Sequence, residues 1–527
     1  MVKSLHQKFM RVVVVFLWLI SAVGWAQERP LERAIVQART TGKTDTFPNL
    51  FTANGTTHAL TNAQDTTQHI DKLTLNTNVL KSIRSQKREL LEISLPTALG
   101  TLELELVPVN LFAPGFNVVT HLPDTTFQFD ASRVVYYQGM IKNNPRSLVA
   151  LALSDENVVG LVSDSTGNRV LSRQRAKSAS QTDYALYNEQ AVQTKIRPFA
   201  CNVADSGTSD LIETPSEKPT KQTNSSNCVK YVGIYLEADY ALYQSYGGNI
   251  TDLTEDILFV FDQVITLYRN ENVYVQLSQL YVWNTNDPYS TATTSASALA
   301  AFKTHWNNFG NSFPGQIAHL MSSRSFSGNT VGLADGYNGL SDKSTAYSFN
   351  SSLNPAFAAP YPTYSWAVFA IAHELGHNFS SHHTHWCGWP GGPIDNCAVP
   401  ENGPCSAGPA PVNGGTIMSY CHLANGVNFA KGFGTLPGNQ IRNKIASVTL
   451  PITTSDGKVE SINSGIWTMS GTWTCGVTPS VLYKATISPG HRVQLNSTGN
   501  AKTLTIQGTL NLSTPGTVIR IGQTQSN

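Results

Sequence analysis

The run His373-Glu374-Leu375-Gly376-His377-Asn378-Phe379-Ser380-Ser381-His382-His383 constrains this chain more than any other stretch. It reads H-E-x-x-H, with a further histidine six positions on. Positions four apart share one face of a helix, so His373 and His377 can aim their rings at a single point. Glu374 stands one residue round, beside that point rather than on it. The preceding Trp366, Val368, Phe369, Ala370, Ile371 and Ala372, with Leu375, make the segment apolar on nearly all sides, the pattern of a buried helix. Ser365 is the expected N-cap. Two histidines and a glutamate carried into a core are costly unless something pairs with them. A metal ion, zinc first, is the partner this spacing suits.

H-E-x-x-H alone fixes only three letters, and ordinary hydrogen-bonded core histidines would also fit it. His383 adds a donor at the spacing a third ligand needs once the chain has left the helix. Further on, Gly415-Thr416-Ile417-Met418-Ser419-Tyr420 places a methionine and a tyrosine in a glycine-flanked turn. With these the sequence resembles the metzincin zinc endopeptidases, whose pattern is H-E-x-x-H-x-x-G-x-x-H with a later methionine turn. The resemblance implies His373, His377 and His383 as zinc ligands, Glu374 as general base and Met418 beneath the metal. Tyr420 matches the tyrosine that astacins and serralysins place near zinc and that adamalysins lack; packing within the turn is its other reading.

One position departs from the pattern. The family's glycine is Ser380 here, and a non-glycine residue in a left-handed conformation costs roughly 1–2 kcal/mol. This leaves His382 and His385 as alternative donors, and Glu401 as the third ligand of a differently built zinc site. The methionine turn and the spacing of His383 favour His383.

The N-terminus carries Lys3, Lys8 and Arg11, then the apolar run 12–20, then Gly24-Trp25-Ala26. This reads as a signal peptide over residues 1–26, since the apolar run falls short of the ~20 residues a membrane span needs. The expected product is secreted. With a formal charge of +1, the chain has no basic excess for nucleic-acid binding. Of its seven cysteines, Cys387, Cys397, Cys405 and Cys421 follow the histidines closely, where disulfides would staple a Gly- and Pro-rich loop. Connectivity cannot be deduced from spacing. The odd total leaves one thiol over, and Cys201 is the candidate. Arg197-Pro198-Phe199-Ala200-Cys201-Asn202-Val203 is loosely similar to a cysteine switch, in which a propeptide thiolate fills the open zinc position; pairing of Cys201 with Cys228 is the alternative.

Residues 27–222 are read as propeptide and linker. Strand-like runs such as 101–107 and 147–162 alternate with turns, and Tyr136-Tyr137-Gln138-Gly139 with its following apolar runs is similar to reprolysin and ADAM propeptides. Residues 202–227 are poor in large apolar side chains, the composition of an exposed linker open to cleavage near Lys218 or Lys221. Residues 223–451 then turn α/β: a strand at 231–236, a helix opened by an Asp252/Glu255 capping box, a strand at 273–283, a helix at 295–309, a strand at 316–321, and an edge segment at 328–336 suited to binding extended peptide. In residues 452–527, Leu504/Ile506, Leu510/Leu512 and Ile519/Ile521 are apolar pairs at period two, a small all-β module.

The expected architecture is therefore an α/β (α+β) metzincin-type catalytic domain with a twisted mixed sheet and a zinc-binding active-site helix, between a β-rich prodomain and an all-β C-terminal module. The resemblance, reprolysin-like in its central helices, implies a secreted zinc endopeptidase made as a zymogen, with one catalytic zinc and protein or peptide substrates. No motif supports calcium, no membrane span is found, and oligomeric state is not legible. The rival from another class is an exported adhesion or carbohydrate-binding protein with a structural or relict zinc site. Glu374 argues against it, because a structural site has no use for a carboxylate beside its metal.

Overall fold

The computed structural model describes residues 29–41, 44–58, 69–86, 89–124, 127–176, 178–188, 200–203, 228–326, 330–353, 361–423, 426–513 and 515–522. The signal-peptide run, Lys218 and Lys221 lie outside them. No helix among the described residues is long and apolar enough to cross a membrane.

The N-terminal region is a ten-stranded, largely antiparallel sheet. Its central strand Asn144–Leu153 shows why these strands read as continuous apolar runs: both faces are covered. Val149, Leu151 and Leu153 enter the region's own core with Leu104, Leu106 and Tyr137. Leu148 and Ala152 face the other way, into the core that holds the helix Ile250–Asn270.

Residues from Cys228 onward build the second unit. Its five strands lie in the order Thr330–Ala334, Tyr347–Asn350, Ile317–Met321, Cys228–Ala238, Tyr274–Val282. All pair in parallel except the edge strand Thr330–Ala334, which is antiparallel to its neighbour. The helices Ile250–Asn270 and Ser295–Asn308 make the connections that parallel strands require. Strands from the N-terminal region then cover both edges of this sheet. Ala200–Val203 pairs in parallel with Thr330–Ala334, and Val118–Thr120 pairs in parallel with Tyr274–Val282.

Two local expectations are corrected. The helix expected to open at Asp252 begins at Ile250, and Asn249 caps it by accepting from the Thr251 and Asp252 amides. Asp252 therefore sits in the first turn, favourable to the helix dipole, and forms no capping box. Ser365 is the first residue of its helix rather than the cap; Tyr364 holds the cap position with no side-chain capping bond.

The C-terminal module is a short parallel solenoid. Coils beginning at Lys458, Lys484 and Thr503 each contribute strands that stack on the equivalent strands of the coil before. Trp467, Trp473, Ile487, Val493 and Leu495 fill its interior. The apolar pairs at 504–521 form strands of the last described coil, which leaves Leu512 60% exposed. The module is tied back by Cys228–Cys475 and by pairing of Ile452–Thr454 with the start of the strand Cys228–Ala238. Cys201 is thereby left free, and the alternative Cys201–Cys228 bridge is excluded.

Candidate metal centre

The helix Ser365–Asn378 is buried along its whole length, so His373, Glu374 and His377 enter the core as the periodicity requires. After it the chain must turn sharply. Ser380 does so with φ +81°, the left-handed conformation a glycine would adopt freely. Ser380→Gly is expected to raise stability by up to ~1 kcal/mol, measured as a higher denaturant midpoint with metal binding unchanged. A lower midpoint would show that the serine side chain contributes more than its backbone costs.

The turn brings His383 to the two helix histidines. The three Nε2 atoms lie 3.0, 3.1 and 3.2 Å apart. Four donors about 2.0–2.1 Å from a tetrahedral zinc would be separated by roughly 3.3 Å, so the spacing fits that ion. The tautomers fit as well. His373 Nδ1 donates to the Ile417 carbonyl at 2.7 Å and His377 Nδ1 to the Ser381 carbonyl at 2.8 Å. His383 Nδ1 meets the Glu401 carboxylate at 2.9 and 3.0 Å. With every Nδ1 proton so engaged, three Nε2 lone pairs converge on one point, an arrangement that repels itself unless a cation sits there. Burial, then the neighbouring histidines, hold His373 and His377 well below the usual histidine range, so they stay neutral, as ligands must.

The other candidates are drawn elsewhere. His382 lies between Trp386, stacked at 3.8 Å, and Tyr337 at 3.9 Å, and burial pushes it down to about 4. His385 Nε2 is 3.2 Å from Glu401. Glu401 sits behind the His383 ring, not beside the three Nε2 atoms. Burial opposes its charge, but the bonds from His383 and His385 outweigh this and hold it well below the usual carboxylate range.

The methionine turn passes under the helix. A Cβ at Gly376 would lie 2.6 Å from Met418 Sδ, so only glycine permits this approach. Tyr420 faces the histidine rings, 4.9 Å from His383, and burial followed by the proximity of Cys201 raises its hydroxyl pKa.

Glu374 is fully buried, which raises its carboxyl well above the ordinary range. Its Oε1 has no hydrogen-bond partner among the described residues, and its Oε2 accepts from Cys201 Sγ at 3.1 Å. The Cys201 Sγ and the three histidine donors all lie within 4.8 Å of one another. Cys201 is fixed from behind as well: its amide donates to the Tyr420 hydroxyl at 3.0 Å, and that hydroxyl donates to its carbonyl at 2.7 Å. Two contributions were not legible in the sequence, the clamp of Tyr420 on Cys201 and the placement of Glu401 behind His383. The only signal for the second was that Glu401 falls between Cys387 and Cys405, which are disulfide-bonded.

Three similarities to known proteins are found. Residues 229–430 match the reprolysin-type model of metallo-peptidase family M12. Disintegrin and metalloproteinase domain-containing protein 19 of mouse is 26% identical over 301 residues, covering 53% of this chain and 30% of the relative. Among solved structures, metalloproteinase-II from Bacteroides fragilis aligns with a TM-score of 0.37 at 11% identity, covering 71% of this chain and 94% of that one. Residues 229–430, with their histidine cluster and methionine turn, thus resemble a reprolysin-like metzincin metallopeptidase domain of family M12.

Proposed function

We propose that this chain is an exported zinc endopeptidase made as a latent precursor, with residues 27–222 as propeptide and linker, 223–451 as catalytic domain and 452–527 as an accessory module. The observation that carries the reading is the convergence of the His373, His377 and His383 Nε2 atoms, the Glu374 carboxylate and the Cys201 thiol on one buried point. Export, with residues 1–26 as signal peptide, is supported by the three disulfides, which persist in oxidising compartments.

His373, His377 and His383 would hold the zinc. When bound, zinc supplies Lewis acidity, lowering the pKa of a water from ~15.7 to about 7 and polarising the scissile carbonyl. Glu374 takes one proton from the attacking water as its oxygen bonds to the carbonyl carbon. It then delivers that proton to the amine as the C–N bond breaks. Burial raises the proton affinity of Glu374 above that of an ordinary carboxylate. Tyr420, kept protonated by burial, donates to the carbonyl oxygen as negative charge develops there. It already donates to a peptide carbonyl, that of Cys201.

Latency follows from the same contacts. Extended substrate would add to the edge strand Thr330–Ala334, and Ala200–Val203 occupies that edge. The Cys201 thiol, a good zinc donor once deprotonated, stands where water and substrate must enter.

The ligand set is tested by zinc content. The full chain is expected to bind one zinc, lost to a strong chelator and regained on adding the ion. His383→Ala is expected to lose most of its zinc; full occupancy in that variant would move the third ligand to another residue.

A further inference from the structure

Glu401 reaches the metal centre from 18 residues beyond His383, and its placement is built rather than incidental. Its amide donates to the His385 carbonyl at 3.0 Å, and its own carbonyl accepts from the Cys387 amide at 2.9 Å. These bonds make Glu401 a one-residue parallel partner of Trp386. The Cys387–Cys405 bridge closes the loop around it. From this fixed backbone the carboxylate spans two rings, with its oxygens 2.9 and 3.0 Å from His383 Nδ1 and one of them 3.2 Å from His385 Nε2.

The three converging histidines are not held alike. His373 and His377 are set by a rigid helix and give their Nδ1 protons to neutral carbonyls. His383 stands on irregular chain beyond the left-handed Ser380, and its Nδ1 partner is a carboxylate. A carboxylate fixes the ring's rotation and tautomer and enriches the electron density at Nε2 more than a carbonyl does. The ligand with the least backbone support thus has the strongest outer partner. With its oxygens committed to Nδ1, on the far side of the ring from Nε2, Glu401 cannot also be a ligand.

We propose that Glu401 is the positioning residue of the zinc centre, fixing His383 and strengthening its donor nitrogen, with His385 as its second anchor. The proposal rests on the zinc reading above. Removing such an outer partner typically weakens metal binding 10- to 100-fold.

The test is zinc affinity of the full chain by competition with a chromophoric chelator, together with the melting temperature of the metal-free protein. Glu401→Ala is expected to bind zinc roughly 10- to 100-fold more weakly while the metal-free form melts as the parent does. Glu401→Gln, which keeps an acceptor oxygen at the same reach without the charge, is expected to recover part of the loss. The Co(II)-loaded Glu401→Ala chain is expected to show shifted visible bands. Parental zinc affinity in Glu401→Ala would overturn the proposal. So would a loss accompanied by an equal fall in metal-free stability that Gln does not rescue, which is the signature of a merely structural loop residue. Failure of the parent chain itself to take up zinc would overturn the underlying zinc reading, an outcome distinct from either.

Discussion

Glu374→Ala is expected to cut peptide hydrolysis by roughly 10²–10⁴-fold while leaving zinc bound. The carboxylate makes none of the contacts that hold the three histidines, whose Nδ1 atoms are engaged by Ile417, Ser381 and Glu401. The ligand geometry should therefore survive its loss. What the variant lacks is the buried group able to take a proton from an attacking water. Room for that carboxylate comes from Gly332 on the edge strand Thr330–Ala334, where a Cβ would stand 1.9 Å from Glu374 Oε1. The assay is turnover of a quenched peptide by metal-loaded, processed protein. Undiminished cleavage would remove Glu374 from the chemistry.

The second large effect concerns latency. Cys201→Ala in the full chain is expected to raise its peptidase activity by about 10- to 100-fold. The sulfur either donates to the Glu374 carboxylate or, once deprotonated, holds the open metal position; a bond to a charged group is worth ~1.5–3 kcal/mol, and each ~1.4 kcal/mol is tenfold. Activity should stay below that of processed enzyme, because Tyr420 still clamps the backbone at position 201 and the strand Ala200–Val203 still covers the edge. The Co(II)-loaded chain gives an independent readout: a near-ultraviolet thiolate band in the parent, absent in the variant. Equal activity and equal spectra would assign Cys201 to packing alone.

The motif helix and the methionine turn were legible in the sequence because their information is local. Four-residue spacing puts His373 and His377 on one face, and the apolar run before them fixes burial. The turn at Ser380 was expected from the glycine that the resembled pattern places there, and Ser380 adopts that left-handed conformation. Contacts decided by strand addition were legible only in part. The cysteine-switch reading aimed the Cys201 thiol at the metal position, but its contact with Glu374 across 173 residues comes through a strand of only four, and nothing within those four specifies its partner edge. The strand Val118–Thr120 is shorter still, and its pairing on the opposite edge had no sequence signature. For the helix Ile250–Asn270, Asp252-x-x-Glu255 matches a capping box, yet Asn249 stands ahead of it and reaches two free amides. In the C-terminal module, period-two pairs announce strands but not how they associate. Stacking of successive coils depends on residues one coil away, such as Thr503–Ile506 against Lys484–Ile487.

On the proposed function, the three histidines and Glu374 form a working zinc peptidase site. The direct measurement is casein cleavage by purified chain from which the proposed propeptide, residues 27–222, has been cut away and removed. Cleavage is expected that a zinc chelator abolishes and one equivalent of zinc restores. No cleavage by the zinc-loaded protein, or cleavage that persists after the metal has been stripped, would contradict the proposed function.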